Sequence, residues 1–181
     1  PLMAINTTKF GEAEYPHLSI PDTHFKPEGE YHVKLKVKKE DAQEDIKKIR
    51  EVISKEVAEE HKRRPNNTSE IKRAPLPYKE DGDNVVFHFK MKAKGINSKT
   101  KEPFTQEPKL VDHNLNDIPK DKVIYGGSIM RINYEPVGYN VSSVGVGCTL
   151  RLKSAQISKL VEGQSNTVGF DKVNPTVEAN F

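Results

Sequence analysis

The sequence contains no tryptophan and a single cysteine, Cys148, among its 181 residues. One cysteine cannot close an internal disulfide, which points to a reducing compartment. Cys148 sits in the apolar stretch Val146-Gly147-Cys148-Thr149-Leu150 and reads as a small buried core residue. No apolar run reaches the roughly 18 residues of a transmembrane helix, and no secretory apolar segment lies near the start. Pro1 and Leu2 precede Met3 and read as a protease-site remnant ahead of the natural start. No Walker loop is present, and Gly145-Val146-Gly147 lacks the third glycine and the following helix of a dinucleotide motif. Ser142-Ser143 has no nucleophile-elbow context. The six histidines, His17, His24, His32, His61, His88 and His113, show neither HxH nor HxxxH spacing and read as scattered surface residues. Asp112, Asp117 and Asp121 are the carboxylates a magnesium-dependent nuclease would use, but they fall in a turn-rich region where acids solvate loops. The expectation is no catalytic residue, no metal set and no cofactor.

What is present is charge, and its distribution is uneven. Charged residues make up 30% of the chain for a net of only +3. Residues 84–161 hold 12 basic and 6 acidic groups, whereas residues 162–181 hold 1 basic and 3 acidic. The basic surplus belongs to one segment, and a mild acidic bias belongs to the end.

That basic segment is built on alternation. Tyr31, Val33, Leu35 and Val37 share one face of a predicted strand, and Lys34, Lys36 and Lys38 share the other. A helix follows over roughly Glu40 to Arg64, with Ile46, Ile49, Ile53 and Val57 at helical spacing, acids at its start and bases at its end. Its charges nearly cancel, so it reads as a packing helix. Residues 65–84 read as a polar connection closing on the turn Asp81-Gly82-Asp83-Asn84. A second strand directs Phe87, Phe89, Met91 and Ala93 inward and His88, Lys90, Lys92 and Lys94 outward. Asn97 to Glu102 reads as a hairpin turn, and Lys109 to Asp112 as a short strand. The next strand opens at Gly126-Gly127 with Met130, Ile132 and Tyr134 inward and Arg131 outward. Pro136 to Asn140 is then a connecting loop. The last strand places Cys148, Leu150 and Leu152 inward, places Thr149, Arg151 and Lys153 outward, and continues to Val161. These pieces predict a mainly β chain: a small antiparallel barrel with one amphipathic helix inserted early and a polar C-terminal tail.

The outward bases are the candidate site. Adjacent strands lie about 4.8 Å apart and alternate residues about 6.8 Å apart, which roughly matches successive phosphates of an extended strand. Lys34, Lys36, Lys90, Lys92, Lys94, Arg131, Arg151 and Lys153 are the candidates. Strand lysines also guard against aggregation, so solubility is the competing reading. Tyr125, Tyr139 and Phe104 (with Tyr78) lie in or beside predicted loops, where exposed rings stack on bases; the alternative is that they fold back over the barrel ends.

The order of these pieces resembles the podophage replication single-stranded DNA-binding proteins. The resemblance begins at Phe10-Gly11-Glu12-Ala13-Glu14-Tyr15 and Pro21-Asp22, and passes through Gly29-Glu30-Tyr31-His32-Val33 and the early acidic-to-basic helix. It continues through Phe87-His88-Phe89-Lys90 and Lys99-Thr100-Lys101-Glu102. It is closest from Val123 through Gly126-Gly127-Ser128, Tyr134, Pro136 and Asn140 to Gly145, Leu150, Leu152 and Ser154. The resemblance covers about residues 9–161. It implies an OB-fold domain over 1–161 and a tail over 162–181, with sequence-nonspecific single-stranded DNA binding in phage replication, recombination and repair. It also implies a place in the cytoplasm of the infected bacterial host. In the family, basic and aromatic side chains on one barrel face hold the strand. The family's strongly acidic tail ends in an aromatic that contacts replication partners, here the phage DNA polymerase and the helicase/primase. Phe181 matches that terminal aromatic; the acidic run does not match, with only Glu162, Asp171 and Glu178 present. A homodimer is a further expectation. The alternative to DNA binding is a protein-interaction or structural phage module on a similar barrel.

Overall fold

The computed structural model describes residues 5–162, 169–171 and 173–174. Alternation in the sequence becomes a sheet as expected. β1 (Asn6–Thr7) and β2 (Gly11–Asp22) lead into β3 (Glu30–Lys38), in which Tyr31, Val33, Leu35 and Val37 are all buried. One turn of 3-10 helix (Lys39–Asp41) precedes α1 (Gln43–Arg63). Glu44 and Asp45 occupy the first turn of α1 and His61, Lys62 and Arg63 the last, as the helix dipole favours. Ile46, Ile49 and Ile53 form its buried stripe, and Pro65 follows its end.

β4 (Tyr78–Asp81) turns into β5 (Asn84–Lys92) across Gly82, whose φ of +58° lies in the left-handed region that glycine adopts most readily. β6 (Lys94–Ile96) and β7 (Pro103–Thr105) form a separate hairpin, and β8 (Lys109–Val111) precedes the two long strands β9 (Ile129–Val141) and β10 (Gly145–Lys159).

Five strands pair in a cycle, β2-β3-β5-β10-β9 and back to β2. That is a five-stranded, partly open Greek-key barrel of the OB type. β3 and β5 pair without a slip from Glu30↔Lys92 to Lys38↔Asn84. Phe87, Phe89, Met130, Ile132, Tyr134, Leu150 and Leu152 fill the interior with essentially no exposure. Each such aliphatic or aromatic side chain contributes about 1.5–3 kcal/mol by leaving water. α1 lies against β9 and β10, and its Glu56 approaches Gly138 so closely that a Cβ there would stand 2.6 Å from the Glu56 side chain.

Four expectations are corrected. The barrel is not wholly antiparallel, because β10 runs parallel to β5 and to β8. Pro136 to Asn140 is not a loop; it belongs to β9, which turns only at 142–144. Proline is tolerated there because, among the described residues, β9 past Tyr134 pairs with β10 alone and so behaves as an edge. The connection over 65–84 contains a strand, β4. The last strand stops at Lys159, short of Val161. β2 was not expected at all: Tyr15 has a φ of +49°, and the register slips one residue between Glu14↔Lys34 and His17↔His32. The bulge breaks the alternation that would have marked the strand.

Candidate nucleic-acid interface

The seam between β5 and β10 is short, with only Leu150↔Phe89 and Arg151↔Lys90 in register. Beyond it the segment 72–77 closes the gap. The Val146 N–H donates to the Lys72 carbonyl, the Ala74 N–H to the Val146 carbonyl, and the His88 N–H to the Pro77 carbonyl, each at 2.9 Å. The result is a groove of about 670 Å³ on the outer face. Pro75, Leu76 and Pro77 form one side, and Phe104 and Gln106 of the β6–β7 hairpin region form another. Lys90, Lys92, Arg151 and Lys153 line it from the two strands, and Lys26 enters from the β2–β3 connection.

The register puts Arg151 directly beside Lys90. Like charges across a pair of strands repel, and here little offsets them. Glu135 lies 4.0 Å from Arg151, and among the described residues none of Lys34, Lys90, Lys92 and Lys153 has an ion-pair partner. Burial holds the His88 imidazole below its ordinary range, helped by the nearby Lys90 charge, so it adds a neutral ring to a cationic groove.

Two aromatic rings border this charge, and both lie over glycine. Tyr139 stands opposite Gly147 in the β9–β10 register, and a Cβ on Gly147 would be 2.5 Å from the ring. Phe104 stands opposite Gly95 between β7 and β6, and a Cβ on Gly95 would be 2.9 Å from it. Bare backbone beneath each ring lets it lie against its strand at the groove wall.

The structure thus brings together Lys90, Lys92, Arg151, Lys153, Tyr139 and Phe104 of the expected set. Lys34 lines a second groove of about 310 Å³ with Tyr15, Asp22, Phe25 and His32, and this groove shares Lys26, Glu30 and His88 with the first. Lys36, Lys94, Arg131 and Tyr125 line neither. Lys36 instead lies 3.6 Å from Glu14 and 3.8 Å from Asp81. Arg131 donates to Gln156 Oε1 at 2.7 Å and covers the Phe10 ring. Tyr125 lies in a hollow with Tyr15 and Val123, and Lys94 is exposed on β6. Tyr78 packs on Phe87 as a half-buried residue of β4. Phe181 lies outside the described residues.

Sequence reasoning missed Lys26, His88, Leu76, Tyr15 and Phe25. The last is 86% exposed, and its setting in Phe25-Lys26-Pro27 was a legible signal of an exposed ring beside a base. The histidines are not all scattered, which corrects that expectation. The His17 and His32 rings meet at a tilt of 41° with centroids 4.6 Å apart, His88 meets His32 edge-on at 5.9 Å, and Asp22 Oδ2 is 2.9 Å from His32 Nε2. Two of the three carboxylates of the nuclease reading do local work. Asp112 accepts from the N–H groups of Asn114 and Asn116, which hold its carboxyl below the usual range, and Asp117 pairs with Lys109. Among the described residues, no helix is long and apolar enough to cross a membrane.

A curated relative, the single-stranded DNA-binding protein of Enterobacteria phage T3, is 29% identical over 176 residues, covering 86% of this chain and 76% of the relative. Among solved structures, gp2.5, a single-stranded DNA-binding protein encoded by bacteriophage T7, superposes with a TM-score of 0.77 at 25% identity over 99% of this chain and 100% of its own. The single-stranded DNA-binding protein of bacteriophage Enc34 in complex with single-stranded DNA shares the fold, with a TM-score of 0.56 at 19% identity over 87% of this chain and 88% of its own. The family described as "Single-stranded DNA-binding protein, Bacteriophage T7" matches residues 10–160, and with most of its length inside that match the chain belongs to this family of phage single-stranded DNA-binding proteins.

Proposed function

We propose that the chain binds single-stranded DNA without sequence preference during phage DNA replication, recombination and repair, and that the β5–β10 groove carries the strand. The observation behind the groove assignment is the Lys90–Arg151 pair, two adjacent cations with little compensating charge, set between the Tyr139 and Phe104 rings. Phosphates would neutralise Lys90, Lys92, Arg151 and Lys153 and would compete with Glu30, 3.0 Å from its ammonium, for Lys26, and bases would stack on the rings, which accept any base because every base has a π-face. The path extends past His88 into the second groove, toward Lys34, Tyr15 and Phe25. Binding is the whole activity; no chemical step is involved.

Residues 1–161 are the binding domain in this reading, and 162–181 are a tail through which Phe181 contacts the phage DNA polymerase and helicase/primase. Support for the tail comes from the sequence alone, a polar stretch after Gly163 that carries Phe181. A homodimer and action in the cytoplasm of the infected host belong to the same proposal. The test is a titration with oligo-dT followed by tyrosine fluorescence at several salt concentrations. If about five phosphates are neutralised, log K falls against log[salt] with a slope of roughly −3 to −4. A slope near zero, or equal affinity for duplex, favours the protein-interaction module instead.

A further inference from the structure

We propose that His17, Asp22 and His32 form a binding site for a zinc-class divalent metal ion beside the second groove. Their ligand atoms all lie within 4.8 Å of one another. Two imidazoles and one carboxylate are a donor set that zinc and its neighbours in the first transition row prefer, whereas magnesium and calcium select all-oxygen sites. Bonds of about 2.0–2.1 Å in a tetrahedral site place ligand atoms about 3.3 Å apart. Asp22 Oδ2 and His32 Nε2, at 2.9 Å, are already close to that separation. His17 offers a ring nitrogen within 4.8 Å of both, and its side chain would turn inward to complete the set.

The backbone assembles these residues for a reason local sequence does not show. His17 and His32 are direct cross-strand partners of β2 and β3. Without the one-residue slip at Tyr15-Pro16, His17 would point into the barrel, as Ala13 and Leu18 do. The bulge re-aims it onto the outer face next to His32. Asp22 is steadied by a second contact, because its Oδ1 accepts the His24 N–H at 2.9 Å and leaves Oδ2 for the ion. An Asp22–His32 hydrogen bond alone accounts for two of the three residues and leaves the adjacent His17 ring unexplained.

Three protein ligands leave a fourth position for water or an incoming oxygen or nitrogen donor. The ion would tie β2 to β3 at the base of the turn carrying Phe25 and Lys26, and so fix one wall of the grooves. The site does not rest on the DNA-binding reading.

The test is a calorimetric titration of the full chain with zinc chloride, paralleled by cobalt(II) absorption, whose intense visible bands report four-coordinate geometry. One ion per chain is expected. His17→Ala, Asp22→Asn and His32→Ala are each expected to weaken binding by at least about tenfold, while His24→Ala and His113→Ala leave it unchanged. Asp22→Asn keeps the side-chain shape and the acceptor for His24, so it remains informative should His32→Ala fold poorly; circular dichroism checks each variant. Absence of stoichiometric binding, or binding that ignores Asp22→Asn, overturns the proposal.

Discussion

Tyr139 and Gly147 are directly opposed residues on β9 and β10, and the tyrosine ring occupies the space a side chain on Gly147 would need. The same hypothetical Cβ would also lie 2.8 Å from Ala74 Cβ, on a segment pinned to β10 by backbone hydrogen bonds. A methyl group at 147 must therefore push the ring off the groove wall, because the Ala74 side is less free to yield.

Two variants separate ring placement from charge. Tyr139→Ala is expected to cost about 1–3 kcal/mol of oligo-dT affinity with the salt slope nearly unchanged. Gly147→Ala is expected to lose affinity in the same way while keeping Tyr139, and to lose about 1–3 kcal/mol of stability through overpacking. Fluorescence titration and chemical denaturation measure both. Wild-type affinity in folded Gly147→Ala would show that the ring's seat does not matter.

Charge is tested at three arginine and lysine positions. Lys90→Ala and Arg151→Ala are each expected to flatten the salt slope by about 0.7, one phosphate contact apiece. Arg131→Ala is expected to leave the slope alone. Its partner Gln156 lies five positions along β10 from Arg151, roughly 17 Å away, and its guanidinium is engaged with Gln156 and Phe10. An Arg131→Ala slope as flat as that of Lys90→Ala would move the strand's path to the other end of β9.

Period-two alternation made β3, β5 and the inner faces of β9 and β10 legible, because one face of each is packed and the other wet. It also made the outward bases legible as a class. What it cannot give is which outward bases converge. Lys34 and Lys36 are two residues apart on one strand, yet Lys34 faces the second groove and Lys36 pairs with Glu14 and Asp81. That division depends on which strands flank β3, a long-range fact. β2 was hidden by its bulge, and with it the pairing of His17 with His32. Pro136 read as a strand breaker because the sequence does not say that this part of β9, among the described residues, pairs with β10 alone.

Cys148 is expected to be nearly inert in the folded chain. Burial pushes its thiol up to about 11 from an ordinary 9.0, so near pH 8 it carries about a hundredfold less thiolate, the reactive species. Its 3% exposure limits access further. A disulfide reagent such as DTNB should label the native chain very slowly and the guanidinium-unfolded chain at once. Prompt labelling of native protein would show that the wall of the groove opens readily.

Tyr134 and Asp45 supply the pH dependence. The Tyr134 hydroxyl donates to Asp45 Oδ1 at 2.5 Å, joining the barrel interior to the first turn of α1. Asp45 is 5% exposed. Burial raises its carboxyl above the ordinary 3.8, while the Tyr134 hydrogen bond pulls the other way. Burial first, and Asp45 second, hold the Tyr134 phenol far above its usual range, so it remains a donor. A carboxyl whose pKa is higher in the folded chain binds more protons there than in the unfolded chain between the two values. Its contribution to stability therefore falls as pH rises from about 4 and levels off above the folded pKa. Asp22, Asp112 and Glu162, held below their ordinary values, act in the opposite sense. The clean readout is thus the difference between wild type and Asp45→Asn, which keeps an acceptor for Tyr134 but does not titrate. Measured by denaturation, the stability of Asp45→Asn relative to wild type should increase from pH 4 toward neutrality and then plateau. Tyr134→Phe removes the donor and is expected to cost about 1–3 kcal/mol, with the larger loss near neutral pH, where Asp45 must ionise without it. Parallel pH profiles for wild type and Asp45→Asn would show that this carboxyl titrates alike in the folded and unfolded chain.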